Sequence, residues 1–406
     1  MHFAERLYPQ SRLTALLSGS SPNKPELDLS IGEPNVALDE KVLSTIPAGY
    51  SDLALYPRAS LQYELQTTIS RWLQSRYGSS RDFSISPEQI AILAGSREGI
   101  FMLPIALFNR QLQQGEQVTI AMPDPGYPIY LASAENIGAR VKSITHKQLH
   151  QLTADALDTF TDWSQIDLMF VCSPNNPTGE VLALKQWIRL IELAKIHQFI
   201  LVADECYSEI YIEPYAPTGI LEACVVMGNI NFDNCLAVHS LSKRSGLPGL
   251  RSGFMAGDQT LIKKLQAYRN YHGVSLSSIQ LSASQAAWSD EEHVCKNRQT
   301  YSKKFTALTQ YLEALPSYQV PQGGFYLWLD TGCPSEQICV HLYQHFGIKA
   351  LPGHYLAISA DAVNDYQNYI RIALVCSQED IEFVGNAIKE SILSCSRSNA
   401  AGDHVA

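Results

Sequence analysis

The sequence predicts an α/β protein: a large domain built on a mostly parallel central sheet, joined to a smaller α+β domain. Three observations predict it. Short β-branched runs alternate with longer amphipathic stretches through the middle of the chain, the pattern of parallel βαβ units. After Gly257 long helical stretches take over, followed by a second, shorter mixture of strands and helices. The length, 406 residues, exceeds what one simple core holds and fits two domains.

Taken in order, MHFAERLYPQSRLTALL reads as a short amphipathic helix without the apolar stretch and cleavage site of a secretory signal. The strands expected in the large domain are QIAILAG, QVTIAMP, ARVKSIT, DLMFVCSP, FILVADE, CLAVHSLS and SGFMAGD. Between them lie stretches such as ALKQWIRLIELAKIHQ, whose apolar residues recur every three or four positions, as on a buried helix face. QTLIKKLQAYRNYH and SDEEHVCKNRQTYSKKFTALTQYLEAL read as long helices. The smaller domain then takes strands SYQV and GGFYLWLD, the helix SEQICVHLYQHFG, the strand NYIRIALV and a closing helix from SQEDIEFVGNAIKESI. The polar tail SCSRSNAAGDHVA is expected to fray. The large domain is read as residues 46–290, and the smaller as residues 1–45 with 291–406.

Forty acidic against 30 basic residues leave a net charge of -10, which opposes nonspecific binding to nucleic acid or anionic membranes. A local basic pocket for a small anion remains compatible with that balance. No apolar run approaches the length of a membrane span. The nine cysteines are odd in number and scattered, and no two form a C-x-x-C pair. They argue against a disulfide framework and a structural zinc site, and they fit a reducing cytoplasm. No metal is expected.

In an open parallel sheet, ligands bind outside the carboxyl ends of the strands. The residues expected there are Gly95-Ser96-Arg97, Pro125-Gly126-Tyr127, Asn175-Asn176-Pro177, Asp204 with Tyr207, and Ser240 to Lys243. Singly, each has an ordinary explanation: a turn, a helix cap, a solvated lysine. Together they supply what pyridoxal phosphate needs. Lys243 offers the amine for an imine. Ser240, Ser242 and the forked cation of Arg251 suit phosphate oxygens, with the N–H groups of Gly95, Ser96 and Arg97 at a helix start. Asp204 can hold the pyridine nitrogen protonated, Asn176 and Tyr207 can donate to the phenolic oxygen, and Tyr127 can stack on the ring.

The ordered set SLSKRSGLPGLRSG, SPNNPTG, DECYSEIY, PDPGYPIY and GGFYLWL resembles the class I/II aminotransferases, fold-type I enzymes that use pyridoxal phosphate. The resemblance runs from LDLSIGEPN to NYIRIALV, nearly the whole chain. Within the family it is greatest to the N-succinyldiaminopimelate aminotransferases of lysine biosynthesis, through YRNYHG, AAWSDEEHV and LPGHYLA.

The resemblance implies roles. Lys243 holds the cofactor and then moves a proton between the substrate α-carbon and the cofactor's C4′ carbon, with Asp204 and Tyr207 as its catalytic companions. Arg371, in YIRIAL, grips the substrate α-carboxylate together with the backbone of Gly32, beside Asn176. Tyr56 reaches the phosphate of a neighbouring subunit, which implies a homodimer with shared sites. Three positions depart from the family pattern. Leu61 and Gln66 replace glycine and arginine in a segment expected to border the substrate entrance. Ile358 stands where the subgroup has an arginine for a distal carboxylate, leaving Arg58 and Arg97 as alternatives.

The same fold and cofactor serve aspartate, alanine, aromatic and acetylornithine aminotransferases and carbon–sulfur β-lyases. Ligand-sensing domains of transcription regulators share the fold too, behind a DNA-binding domain. Here LDLSIGEPN begins too early in the chain for such a domain to be expected.

Overall fold

The computed structural model describes residues 7–46, 52–78, 83–152, 162–214 and 216–402. A two-residue strand, β1 (Leu27–Asp28), opens the strand sequence and pairs in parallel with β10 (Ile348–Lys349). The central sheet takes β2 (Ile90–Leu93), β3 (Thr119–Pro123), β4 (Arg140–Ile144), β5 (Leu168–Cys172), β6 (Ile200–Asp204), β7 (Cys235–Ser240) and β8 (Gly253–Gly257). Each falls inside one of the seven runs expected as strands. Their spatial order is β2-β8-β7-β6-β5-β3-β4, and only β8 runs antiparallel to its neighbours.

Near-continuous apolar sequence makes the central strands buried on both faces, as a sheet covered by helices requires. Alternate side chains therefore enter different cores. Val171 joins a cluster with Trp72, Trp187, Phe254 and Trp288, while Phe170 and Cys172 join one with Phe108, Tyr130 and Met255. The edge strand β4, RVKSI, places its charged residues at alternate positions and is the one strand of the sheet with regularly alternating exposure.

A second sheet orders β11 (Leu351–Pro352), β12 (Tyr369–Ala373) and β9 (Tyr326–Asp330), all antiparallel. The helices Glu292–Leu312 and Ile381–Gly402 pack with it in a further core that includes Phe305, Leu327, Ile372 and Val384. The first helix, Pro9–Leu17, buries Leu13 and Leu17 beside Leu351, Tyr355 and Leu356. Residues 1–6 of that expected helix lie outside the described residues.

Two expectations fail. SYQV forms no strand: Pro316 and Pro321 flank it, and neither can donate a ladder hydrogen bond. The last helix continues to Gly402, through most of the tail expected to fray, and residues 403–406 lie outside the described residues. From Ser394 to Ala401 the sequence holds no glycine or proline, and the Ser396 hydroxyl donates to the Ile392 carbonyl one turn back, 2.9 Å away. A helix already anchored in a core extends at little further cost. Among the described residues no helix is long and apolar enough to cross a membrane.

The strand order determines where a ligand fits. β4 lies on one side of β3, whereas β5, β6 and β7 extend from the other, so the order reverses between β3 and β5. Such a reversal opens a crevice at the carboxyl ends of the strands. Because β8 is antiparallel, it starts where its neighbours end: Gly253 pairs with both Ser240 and Leu93. Arg251, two residues earlier, is thereby delivered to the same rim.

Candidate active site

A cavity of 640 Å³ opens at that rim, and Gly32, Ser96, Arg97, Tyr127, Asn176, Asp204, Tyr207, Ser240, Ser242, Lys243, Arg251 and Arg371 all line it. Gly95 adjoins it in front of Ser96. Tyr56 is the exception: it is 95% exposed and lies outside this cavity.

The lysine is placed by its neighbours. Ser240 ends β7 in extended conformation, and its hydroxyl accepts from the Ser242 amide at 3.1 Å, starting the short helix Leu241–Arg244. Arg244 is buried, lies over the rings of Trp72 and Trp288, and donates to the Ala287 carbonyl at 2.8 Å and to the Glu291 carboxylate. With Arg244 anchored in the core, the turn directs Lys243 into the cavity. Its Nζ donates to the Gly32 carbonyl and sits 5.5 Å from the centre of the Phe325 ring. Burial, assisted by the positive charge of Arg371, pushes the amine down to about 8.

Asp204, at the end of β6, is buried. Its carboxylate accepts from the Tyr130 hydroxyl at 2.7 Å and from the Cys206 amide at 3.1 Å. Burial raises its pKa and these hydrogen bonds oppose the rise. Tyr130 stacks on Phe170, with centroids 5.1 Å apart, and burial holds its phenol well above the usual range, so it stays a donor. Among the described residues no cation pairs with Asp204 at ion-pair distance. A protonated ring nitrogen is the partner such a carboxylate needs.

At the other end, Gly95 has φ 83° and ψ 158°, a region essentially closed to other residues, and it opens the helix Ser96–Gln113. A Cβ there would collide with the Arg251 guanidinium. Arg251 is held in place by the carbonyls of Pro248 and Ala94, at 2.9 and 3.2 Å. A helix start with free N–H groups, two serine hydroxyls and a fixed guanidinium could cradle a phosphate.

Arg371 approaches from β12. It donates to the Asn176 side-chain oxygen at 3.0 Å and to the Ser30 carbonyl at 2.6 Å, and its guanidinium lies 4.6 Å from the centre of the Tyr326 ring. The residue is 4% exposed, yet its Nε has no hydrogen-bond partner among the described residues. An incoming carboxylate would supply one. The Tyr326 and Tyr207 hydroxyls share a hydrogen bond of 2.9 Å, and a Cβ at Gly32 would collide with that Tyr326 hydroxyl. Tyr127 accepts from Arg97 Nε at 2.8 Å.

The departures fall mostly away from the cavity. Leu61 and Gln66 sit on the helix Ala59–Tyr77 and not in a loop. Leu61 packs on the core and Gln66 donates to the Ile90 carbonyl at 2.7 Å, so neither lines the cavity. Arg58 caps that helix and pairs with Asp52 at 3.1 Å, also outside it. Ile358 packs beside the core of β3 and β5, and its amide donates to Asp124 at 2.9 Å. Of the two alternative arginines, only Arg97 faces the cavity.

Sequence reasoning assigned no role to Tyr130, Phe325 or Tyr326. PDPGYPIY carried a signal for the first, since Tyr130 follows Tyr127 by three residues, which on a helix shares its side. Tyr8, just before the first helix, and Gln10 within it also line the cavity, and nothing local in the sequence marks them.

Residues 24–388 match the family model for aminotransferase class I and II. The aminotransferase AspB of Helicobacter pylori superposes with a TM-score of 0.85 at 32% identity, covering 98% of this chain and 100% of that one. The 4-dedimethylamino-4-oxo-anhydrotetracycline transaminase OxyQ of Streptomyces rimosus is 29% identical, over 87% of this chain and 90% of its own. The LL-diaminopimelate aminotransferase of Halothermothrix orenii is 26% identical, over 90% of each. A lysine of lowered pKa, a buried carboxylate without a cation among the described residues and a helix start beside a fixed guanidinium could hold the cofactor of that family, and a half-satisfied arginine could take a substrate carboxylate. The chain belongs to the class I and II aminotransferases, enzymes that use pyridoxal phosphate on amino acids and keto acids.

Proposed function

We propose that this enzyme moves an amino group between N-succinyl-LL-2,6-diaminopimelate and 2-oxoglutarate, in the route to diaminopimelate and lysine. The observation that carries the reading is that, besides Arg251 at the phosphate end, two further guanidinium groups, Arg371 and Arg97, line the cavity that holds Lys243. 2-Oxoglutarate carries one distal carboxylate besides its α-carboxylate, and the succinylated compound carries two. Arg371, oriented by Asn176 and Ser30, takes the α-carboxylate, and Arg97 takes a distal one. The motifs YRNYHG and LPGHYLA support the choice of substrate.

Pyridoxal phosphate, when bound, supplies the electron sink that makes the α-proton removable. The chain supplies the rest. Lys243 Nζ removes the proton from the α-carbon of the donor and returns one to the α-carbon of the acceptor, a task suited to an amine near neutral pH. Asp204, backed by Tyr130, would hold a proton at the pyridine nitrogen. Asn176 and Tyr207 would donate to the phenolic oxygen, Tyr127 would cover the ring, and the backbone N–H groups of Gly95, Ser96 and Arg97 with the side chains of Ser240, Ser242 and Arg251 would hold the phosphate, leaving the Arg97 guanidinium for the distal carboxylate. Residues 46–290 carry these cofactor groups, and the part formed by residues 1–45 and 291–406 brings Gly32 and Arg371 to the substrate.

The working unit in this reading is a homodimer. Tyr56 is 95% exposed, and Leu53 and Leu55 just before it are about 60% exposed, apolar side chains suited to cover by a second copy, whose phosphate Tyr56 would reach.

An assay with glutamate as donor and the succinylated keto acid as acceptor tests the substrate. Unmodified LL-diaminopimelate, acetylornithine, alanine and aromatic pairs serve as competitors, and cystathionine without acceptor tests lyase activity. Fast turnover of another pair with negligible turnover of the succinylated one overturns the substrate while leaving the family intact.

A further inference from the structure

A second cavity, of 760 Å³, shares Tyr326 with the first and contains a cluster the transamination chemistry does not use. His146 and His150 stand four residues apart on the short helix His146–His150, and Glu180 reaches them from the loop after β5. One ligand-capable atom from each lies within 4.8 Å of the others. His146 Nδ1 is 3.4 Å from Glu180 Oε2. Two ligands bound tetrahedrally at about 2.0–2.1 Å stand about 3.3–3.4 Å apart, so this pair is already at coordination spacing.

The second observation is independent of that spacing. His146 is only 5% exposed, yet neither of its ring nitrogens makes a hydrogen bond among the described residues. The Cys172 main chain lies against the ring without meeting hydrogen-bond geometry. The Nε2 of His150 is likewise buried and unpartnered. Buried imidazole nitrogens are ordinarily satisfied, and three together beside a carboxylate imply an absent partner. Glu180 is held for the purpose, since the Thr178 hydroxyl donates to the same Oε2 at 3.0 Å.

We propose that His146, His150 and Glu180 bind a zinc-class divalent cation at a site separate from the aminotransferase cavity. Two imidazole nitrogens and one carboxylate oxygen suit zinc, whereas calcium and magnesium select sets of oxygens. Three protein ligands leave one position for water. The cation would tie the short helix to the loop that carries Asn176, because the Asn175 amide donates to the Glu180 carbonyl at 2.9 Å. The cysteine pattern alone suggested no metal; this set uses no cysteine, and its third member follows 30 residues after His150.

The test is titration of chelator-treated holoenzyme with zinc alone, in competition with a chromophoric chelator. One equivalent per chain should bind and raise the melting temperature. His150→Ala and Glu180→Gln should each weaken binding roughly tenfold or more, with the cofactor absorbance and the zinc-free melting temperature unchanged. Zinc held as tightly by the double variant, or binding to the wild type only at millimolar concentration, overturns the site. Should a variant fold poorly, cobalt in the wild type decides: nitrogen and oxygen ligation gives no thiolate charge-transfer band, and such a band would place the metal on cysteine instead.

Discussion

Arg371 Nη1 donates to the side-chain oxygen of Asn176 across 3.0 Å, joining β12 of the second sheet to the loop after β5 of the first. The bond aims a buried guanidinium into the Lys243 cavity while its Nε stays unpartnered. A lysine at this position would supply one point charge and could not reach Asn176, Ser30 and a carboxylate together. Arg371→Lys should lower kcat/KM for amino acid substrates about a hundredfold, roughly 3 kcal/mol, with cofactor absorbance retained. Cofactor loss with unaltered KM would contradict this.

Lys243 makes the folded chain sensitive to pH before the cofactor binds. Its amine is pushed down to about 8, against 10.5 unperturbed. Between those values the unfolded chain binds more protons, so the stability of the cofactor-free protein rises with pH from about 8 to about 10.5. Below pH 8 the full cost, about 3 kcal/mol, is present. Cofactor-free Lys243→Met should therefore resist urea better than wild type at pH 7, with the gap closing near pH 10.5, and it should not turn over substrate. A variant that is no more stable at pH 7 rules out this account of the burial.

Tyr130→Phe removes the 2.7 Å hydrogen bond to Asp204 and leaves the ring on Phe170. A single buried hydrogen bond to a charged group is worth about 1.5–3 kcal/mol, so kcat should fall roughly ten- to a hundredfold. Asp204→Asn should cost more, because it deletes the charge itself. Steady-state kinetics on both variants check the ranking, and the reverse order would show that Tyr130 does not act through Asp204.

Gly95→Ala places a Cβ against Arg251 and forces a backbone conformation that costs about 1–3 kcal/mol outside glycine. The expected result is faster loss of pyridoxal phosphate on dialysis, at least severalfold, with KM for amino acids unchanged at saturating cofactor. Normal retention with a raised KM would remove Gly95 from the phosphate cradle.

Much of this was legible in the sequence because its signals are local. β-branched runs announced all seven strands of the central sheet, and most of the residues singled out just beyond them line one cavity. Pro316 and Pro321 were equally visible beside SYQV, and their missing N–H groups already told against a strand there. The fixing of Lys243 was not legible: Arg244 looks like one more surface charge until Trp72 and Trp288, distant in sequence, close around it.

By itself the sequence determined the α/β alternation, the turn residues at the strand ends and the assortment of side chains a pyridoxal phosphate site requires. Those follow from periodicity and backbone chemistry within a few residues. Only the tertiary structure decided that β8 runs backwards and brings Arg251 to the rim, and that Arg371 meets Asn176 across 195 positions. It alone also gathered His146, His150 and Glu180. Such encounters depend on the order and direction in which strands assemble, and they are selected by the burial of whole faces rather than by any residue's local preference.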